Sequence, residues 1–302
     1  MALVLAGLAA QATPKQGNAM DIMKKVAANT AAATEGRRQF VYRQRIRAGL
    51  LQSNGQVVCR ESREYTVVPQ PARTEKKLVS FSGECRDGKQ MVAYAEPSVA
   101  WPGLKENAAI EVNDGRENIA GMIGALANDK NSRDGIPPQL FPLAAEDLEY
   151  YRFTLKGETT VKGRRAYDVT FTPVERNGFC VHIDTDKDGD KDGDKAEHIC
   201  RPWKGEAWID AEDYQPVRID TQLAKGVPWG VRVFMGINVR QLGFSLNYQR
   251  VTDGVWFPAT YGTEFRITVF WGYKRTITLS MENTDFKKTD AQSTVTFDPP
   301  NQ

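Results

Sequence analysis

The run Phe265–Met281, FRITVFWGYKRTITLSM, decides the fold class. Phe265, Ile267, Val269, Trp271 and Tyr273 fall at alternate positions, and so do Ile277, Leu279 and Met281. Side chains along a strand alternate between faces, so each set forms one apolar face directed at a core. Working outward, the same alternation recurs in Val231, Val233, Met235 and Ile237, in Leu246 and Tyr248, and in the segments Ala166–Thr172 and Tyr151–Leu155. Nearer the N-terminus, Phe40, Tyr42 and Ile46 share one face while Val41, Arg43, Arg45 and Arg47 share the other. Short turns of Gly, Asp and Asn join these strands, which specifies an antiparallel meander. About ten or eleven strands in one sheet curl rather than stay flat, so the expected class is mainly β with a few helices, a curved antiparallel sheet or partial barrel.

The helices are read from a different period. Ala19–Thr30 places Ala19, Ile22, Met23, Val26 and Ala27 on one face, and Arg116–Asn128 carries Ile119, Met122, Ile123 and Leu126 at helical spacing. A shorter helix is expected over Phe141–Leu148, after Pro137-Pro138. The two apolar stripes match the apolar strand faces and are their natural cover.

Cysteine spacing fixes a strand register. Val57–Val68 and Lys76–Asp87 flank the turn-like PQPAR at 69–73, and a hairpin centred on Ala72 sets Cys59 opposite Cys85, Arg60 opposite Glu84 and Ser62 opposite Ser82. Gln90–Ala95 is a further short strand. A second hairpin puts Cys180 opposite Cys200 and His182 opposite His198, the two histidines of the chain. That face admits a cross-strand disulfide beside a histidine pair, or a tetrahedral zinc site; an oxidising compartment favours the disulfide. Between these cysteines, at the tip of an insertion over 180–200, lie Asp184, Asp186, Asp188, Asp190, Asp192 and Asp194, with Gly at 189 and 193. Carboxylates at alternate positions followed by Gly match the first half of a calcium loop. The twelfth position from Asp184 is Lys195 rather than a bidentate Glu, so any Ca2+ held here is structural; a solvated acidic loop is the bland alternative.

The chain has 302 residues, with 40 basic and 38 acidic side chains and a formal charge of +2, which excludes a partner recognised through strong positive charge, such as nucleic acid. At 41% hydrophobic and 10% aromatic it is globular, and we expect a single domain over 13–302. Residues 1–12 read as a signal peptide: the apolar run ALVLAGLAA at 2–10 is followed by the small-residue site Ala10-Gln11-Ala12. No Cys follows to take a lipid anchor, so the expected location is periplasmic or secreted.

The segments Trp203-Lys-Gly-Glu-Ala-Trp-Ile-Asp210, Tyr214-Gln-Pro-Val-Arg218 and Asp253-Gly-Val-Trp-Phe-Pro258 resemble the LolA/LolB-like outer-membrane lipoprotein-sorting superfamily, in its less-characterised periplasmic branch. The resemblance covers about residues 150–286. It implies an unclosed β half-barrel with a helical lid over an apolar cavity that holds acyl chains or other lipids. The Asp-rich insertion and the Cys59–Cys85 pair depart from the family pattern.

Neither G-x-S-x-G, G-x-G-x-x-G nor a P-loop occurs, and both histidines sit in the Asp-rich excursion, so the sequence argues against an enzyme. A hydrolase using a pair of the abundant carboxylates stays open, because sequence does not show their spatial pairing, and two functions stand ahead of it. One is a non-catalytic carrier of lipid or lipoprotein acyl chains, with Phe265, Ile267, Val269, Trp271, Ile277, Leu279 and Met281 under a lid bearing Ile119, Met122, Ile123 and Leu126, working with a membrane-associated partner. The other is a secreted, self-assembling structural protein on the same fold, its cavity filled by its own side chains. Trp208 and Trp256 are expected in the core, and Arg43, Arg45 and Arg47 on a solvated face.

Overall fold

The computed structural model describes residues 16–69, 74–95, 116, 119–124, 126–127, 134–136, 143–174, 203–224, 237–240, 242–269 and 273–289. The expected signal peptide at 1–12, Cys180, Cys200, His182, His198, the run Asp184–Asp194, the residues Val231–Met235 and Trp271 lie outside them.

Helix α1 spans Gln16–Arg37, longer at both ends than its apolar stripe. Six alanines between Ala19 and Ala33 favour the helix locally, and Ala19, Ile22, Met23, Val26, Ala27 and Ala33 are buried along one side. Asp21, Lys24 and Lys25 stay exposed on the other. The strands are β1 Phe40–Gln52, β2 Val57–Pro69, β3 Thr74–Asp87, β4 Gln90–Tyr94, β5 Tyr151–Val161, β6 Arg164–Pro173, β7 Trp203–Asp210, β8 Pro216–Leu223, β9 Ile237–Arg240, β10 Ser245–Thr252, β11 Val255–Val269 and β12 Tyr273–Lys288. The expected helix near residue 145 is a single 3-10 segment, Ala145–Tyr150, that leads into β5.

All twelve strands join one antiparallel sheet in the order β4-β3-β2-β1-β12-β11-β10-β8-β7-β6-β5, with β9 paired on β11 beside β10. The end strands β4 and β5 do not pair with each other, so the curved sheet remains an unclosed half-barrel. Turn chemistry explains the hairpins. Lys162 (φ 51°) and Gly163 (φ 79°) form a two-residue loop between β5 and β6, and this left-handed pair carries the strand twist through the turn.

Cys59 pairs with Cys85, Arg60 with Glu84 and Ser62 with Ser82, and the disulfide is formed. Past Glu64 the register slips, because Val79 is inserted between the partners of Glu64 and Tyr65. This bulge leaves Val79 48% exposed and moves the turn to lie between Pro69 and Thr74, off the centre expected at Ala72.

One hydrophobic core lines the concave side. It unites the stripe of α1 with Tyr151, Phe153, Phe171, Ile209, Ile219 and Leu246 from one half of the sheet and with Ile46, Leu50, Ile277, Leu279 and Met281 from the other. The convex side is polar. Arg43, Arg45 and Arg47 point there, and Glu64 and Glu282 interleave with them: Arg45 lies 2.6 Å from Glu64, and Arg47 3.7 Å from Glu282. Two carboxylates thus offset part of the charge of the three arginines within the sheet.

Candidate functional site

On the concave side β1 and β12 build a ladder of rungs. Gln44 pairs with Asn283, Ile46 with Met281, Ala48 with Leu279, Leu50 with Ile277 and Gln52 with Arg275. Beside it β11 adds Tyr261 against Met281, Phe265 against Ile277 and Ile267 against Arg275. Ile277, Leu279 and Met281 are buried, and Phe265 and Ile267 are half-buried against the same core. Val269 ends β11 beside Tyr273.

Helical backbone at 119–124 and 126–127 contributes to the same core. Ile119 and Ile123 are 0% exposed, Leu126 is buried and Met122 packs on the core from its edge. The two apolar sets expected from the sequence therefore meet in one core. Arg116, just before this segment, lies over the Tyr94 ring at 4.6 Å, and at the other end Lys76 Nζ donates to Leu126 O at 3.5 Å. Tyr94 sits on β4 opposite Gly83, and Lys76 on β3 opposite Val67, so the segment runs along the strands of the β1–β4 side.

A belt of buried polar groups crosses the concave face beyond Leu126. Arg37, at the end of α1, donates from Nε to Asp134 Oδ2 at 2.6 Å and from Nη1 to Trp256 O at 3.1 Å. Tyr42 donates its hydroxyl to Asp134 O at 2.8 Å. Gln44 Nε2 donates to Gly135 O at 3.3 Å and to Asn283 Oδ1 at 3.1 Å, and its Oε1 accepts from Lys76 Nζ at 2.8 Å. Asn283 in turn donates to Pro258 O at 2.7 Å. Gln44 is 0% and Asn283 2% exposed, and both satisfy their amides within the protein, as buried polar groups must. Burial, with the Asp134 carboxylate nearby, pushes the Tyr42 phenol well above its ordinary range, so it remains a donor.

Gly135 is the tight point of the belt. Its φ is +84°, and a Cβ there would lie 2.5 Å from Val67 Cγ1 and 2.6 Å from the Tyr42 oxygen. Only glycine accepts both the left-handed backbone and the contact.

The family-like segments turn out to be structural. Asp210, at the end of β7, accepts from the backbone N–H groups of Glu212 and Asp213 and pairs with the Arg164 guanidinium through both carboxylate oxygens. Burial alone would raise the Asp210 carboxyl, but Arg164 and those N–H groups hold it below the usual carboxylate range. Asp213 takes the Trp256 indole N–H at 2.9 Å, and its backbone carbonyl takes Asn29 of α1 at 2.8 Å. Trp256 is buried as expected. Trp208 is not a core residue: it is on the opposite face of β7 from buried Ala207 and Ile209, half-exposed, with Arg218 over its ring at 5.6 Å. The other even positions of this strand are Lys204, Glu206 and Asp210, a polar alternation that the large aromatic side chain obscured.

The sequence reading missed the belt. Its signal was present in Gln44, a lone polar residue in the stripe of Phe40, Tyr42 and Ile46, and in Asn283, next on the same face after Met281. Asp134-Gly135-Ile136 carries no period at all, and nothing in the sequence marks it.

No protein-family model and no curated protein matches the chain. Among solved structures, similarity extends to a domain described as an outer membrane lipoprotein-sorting protein from Vibrio parahaemolyticus, at 10% identity over 92% of this chain and 95% of that one, TM-score 0.34. A LolA superfamily protein from Nitrosomonas europaea is 12% identical over 90% of this chain and 94% of that one, TM-score 0.30. A DUF1329 family protein from Desulfovibrio piger is 11% identical over 93% and 96%, TM-score 0.33. The strand order of this chain itself describes an open antiparallel half-barrel, with its hydrophobic core on the side that α1 covers.

Proposed function

We propose that the protein is a non-catalytic, extracytoplasmic carrier of lipid or lipoprotein acyl chains. The observation that carries this reading is the helical stripe of Ile119, Ile123 and Leu126 lying in one core with Ile277, Leu279 and Met281 while its flanks are fastened by polar contacts. Lifting the residues around Leu126 exchanges the Lys76 hydrogen bond for water, about 1.5–3 kcal/mol for a bond from a charged group, and can leave the buried Arg37–Asp134 pair in place. It uncovers an apolar ladder that an acyl chain can re-cover at about 0.8 kcal/mol per methylene. A calcium ion in the Asp184–Asp194 loop and a Cys180–Cys200 disulfide belong to this proposal as structural elements, carried by the sequence pattern alone.

A second reading follows from one observation. Ile119 and Ile123 are wholly buried, as expected of a structural protein whose groove is filled by its own side chains. Titration with a fluorescent fatty acid separates the two. The carrier reading expects saturable binding, displacement by a second lipid, and weakening by Leu279→Asp or Ile267→Asp, with Arg45→Ala unchanged. Well-folded protein that shows no saturable binding leaves the structural reading.

A further inference from the structure

Beyond the core, the concave face of β6 turns from apolar to polar. Its inward side chains continue from Phe171 and Val169, both buried, to Tyr167 and then Arg165. Glu158 and Thr160 of β5 pair with these two, and Lys156–Thr160 is exposed throughout, so among the described residues nothing closes over this end of the face. Two further side chains reach it, Lys25 from the exposed side of α1 and Tyr214 from the turn between β7 and β8. The Lys25 ammonium lies 4.4 Å from the centre of the Tyr214 ring, and the Tyr167 ring stands 6.0 Å from it on β6. We infer that Lys25, Arg165, Tyr167 and Tyr214 form a binding site for a phosphate monoester. Such a site stands independently of the carrier reading.

Three observations point to this occupant. The first is uncommitted positive charge. Among the described residues no carboxylate pairs with Lys25, and Arg165 meets Glu158 only at 3.7 Å, with the two side chains 64% and 51% exposed. A surface pair of that kind contributes little and gives way to a better-placed anion. The second is the field at the Tyr214 oxygen. The Tyr167 hydroxyl and the Lys25 ammonium, as hydrogen-bond donors, hold the Tyr214 phenol below its ordinary value, and the charges of Lys25 and Arg165 act in the same direction. Negative charge is favoured where these donors converge. The third is strain. Tyr214 has φ +48°, a left-handed conformation that a bulky side chain rarely adopts and that Gly or Asn enters more readily. Tyr214 N–H to Asp210 O at 3.0 Å and Asp210 N–H to Gln215 O at 2.8 Å hold the turn, so the backbone sets the direction of the ring. A costly conformation kept at an exposed-edge aromatic residue points to function. The donors then select the anion. They come from three elements, and a carboxylate presents its two oxygens in one plane, whereas a phosphate monoester presents three in a tetrahedral arrangement with up to two charges.

The test is calorimetric titration of the full chain with glycerol 3-phosphate, with acetate as the comparison. Saturable binding of the phosphate is expected, at least about ten-fold tighter than acetate. Lys25→Gln and Arg165→Gln should each weaken it about ten-fold, the loss of one charge-assisted hydrogen bond, and Arg165→Lys should restore part of it. Tyr214→Phe, which keeps the ring and the turn, should weaken it less, and Arg45→Ala on the convex face should leave it unchanged. Lys25 and Arg165 are exposed, so their variants keep the fold, which circular dichroism checks. Sedimentation with phosphatidylcholine vesicles, with and without phosphatidic acid, identifies the source of the phosphate. Binding that requires phosphatidic acid and falls in Lys25→Gln assigns the site to a lipid headgroup; glycerol 3-phosphate binding without vesicle binding assigns it to a soluble phosphomonoester. No saturable phosphate binding, acetate bound equally well, or binding that neither Lys25→Gln nor Arg165→Gln weakens overturns the site. None of these outcomes bears on the fatty-acid titration that tests the carrier reading.

Discussion

The two halves of the concave face are covered in opposite ways. Over β5 and β11, α1 is held by an apolar stripe, and Ala19, Met23 and Val26 are 0% exposed; Asn29 adds a part-buried bond to Asp213 O, and only Arg37, its last residue, reaches the belt. Over β1–β4 the described residues 119–124, 126–127 and 134–136 also bury apolar side chains, but they are tied by polar groups of the sheet and of Arg37. Apolar contact is non-directional and grows with area, so it makes a permanent seal. Hydrogen bonds and a buried ion pair are directional and are either made or broken. On the proposed carrier reading, the first half would act as a wall and the second as a door.

The sharpest way to break this contrast is Asp134→Ala, which strands the Arg37 guanidinium in the belt. Leaving one member of a buried pair uncompensated costs about 3–5 kcal/mol. Urea unfolding should show that loss, and hydrogen exchange should quicken first around 119–136. Equal quickening throughout α1 and β5 would erase the distinction between the halves.

Met23→Ala tests the wall. Truncating a fully buried Met costs about 2–5 kcal/mol, read as a lower unfolding midpoint. Lipid binding per folded molecule should stay as it is. A selective loss of binding would place the ligand under α1 instead.

Replacing both Cys59 and Cys85 by Ala should lower stability by about 2–4 kcal/mol through the less constrained unfolded chain. The effect belongs to the door side, so β2–β4 should exchange faster than β5–β7.

The smallest expected effect is on the convex face behind the wall. Desolvation, then the hydrogen bond and charge of Glu206, push the Asp168 carboxyl up to about 6, while Lys156 holds Glu206 below its usual range. An unfolded Asp titrates near 3.9, so between about pH 4 and 6 the native chain binds the extra proton and stability falls as pH rises. Above that window the penalty is complete. Asp168→Asn should therefore raise Tm near neutral pH and lose its advantage at about pH 4, in thermal melts across the range. A gain that persists in acid would mean the effect is packing, not charge.

Much of this was legible in the sequence, because the signals were periodic. Alternation in Phe265–Met281 fixes both a strand and the face that is buried, and Cys59 opposite Cys85 fixes a register because cross-strand partners must be in step. The stripes of α1 and of Ile119–Leu126 were readable for the same reason. The belt was not. Its bonds join positions such as Arg37 and Asp134, or Gln44 and Asn283, that are far apart in the chain and related by no repeat. The outward turn of Trp208 escaped for a different reason: an aromatic side chain fits a pleated surface on either face.

The pairing of β1 with β12 bears on how the chain assembles. β1 is first and its neighbour β12 twelfth among the described strands, so the meander β1–β4 can form with one edge of β1 unpaired until β12 docks. Non-local strand pairs of this kind form slowly, and an open edge invites another chain. The waiting strand carries Arg43, Arg45 and Arg47 on one side. Two such strands laid edge to edge bring like charges together and repel. The partner that eventually arrives brings Glu282, which Arg45 and Arg47 accept. The same arginines that look inert on the finished surface thus discriminate, during assembly, between the chain's own last strand and a stranger's first.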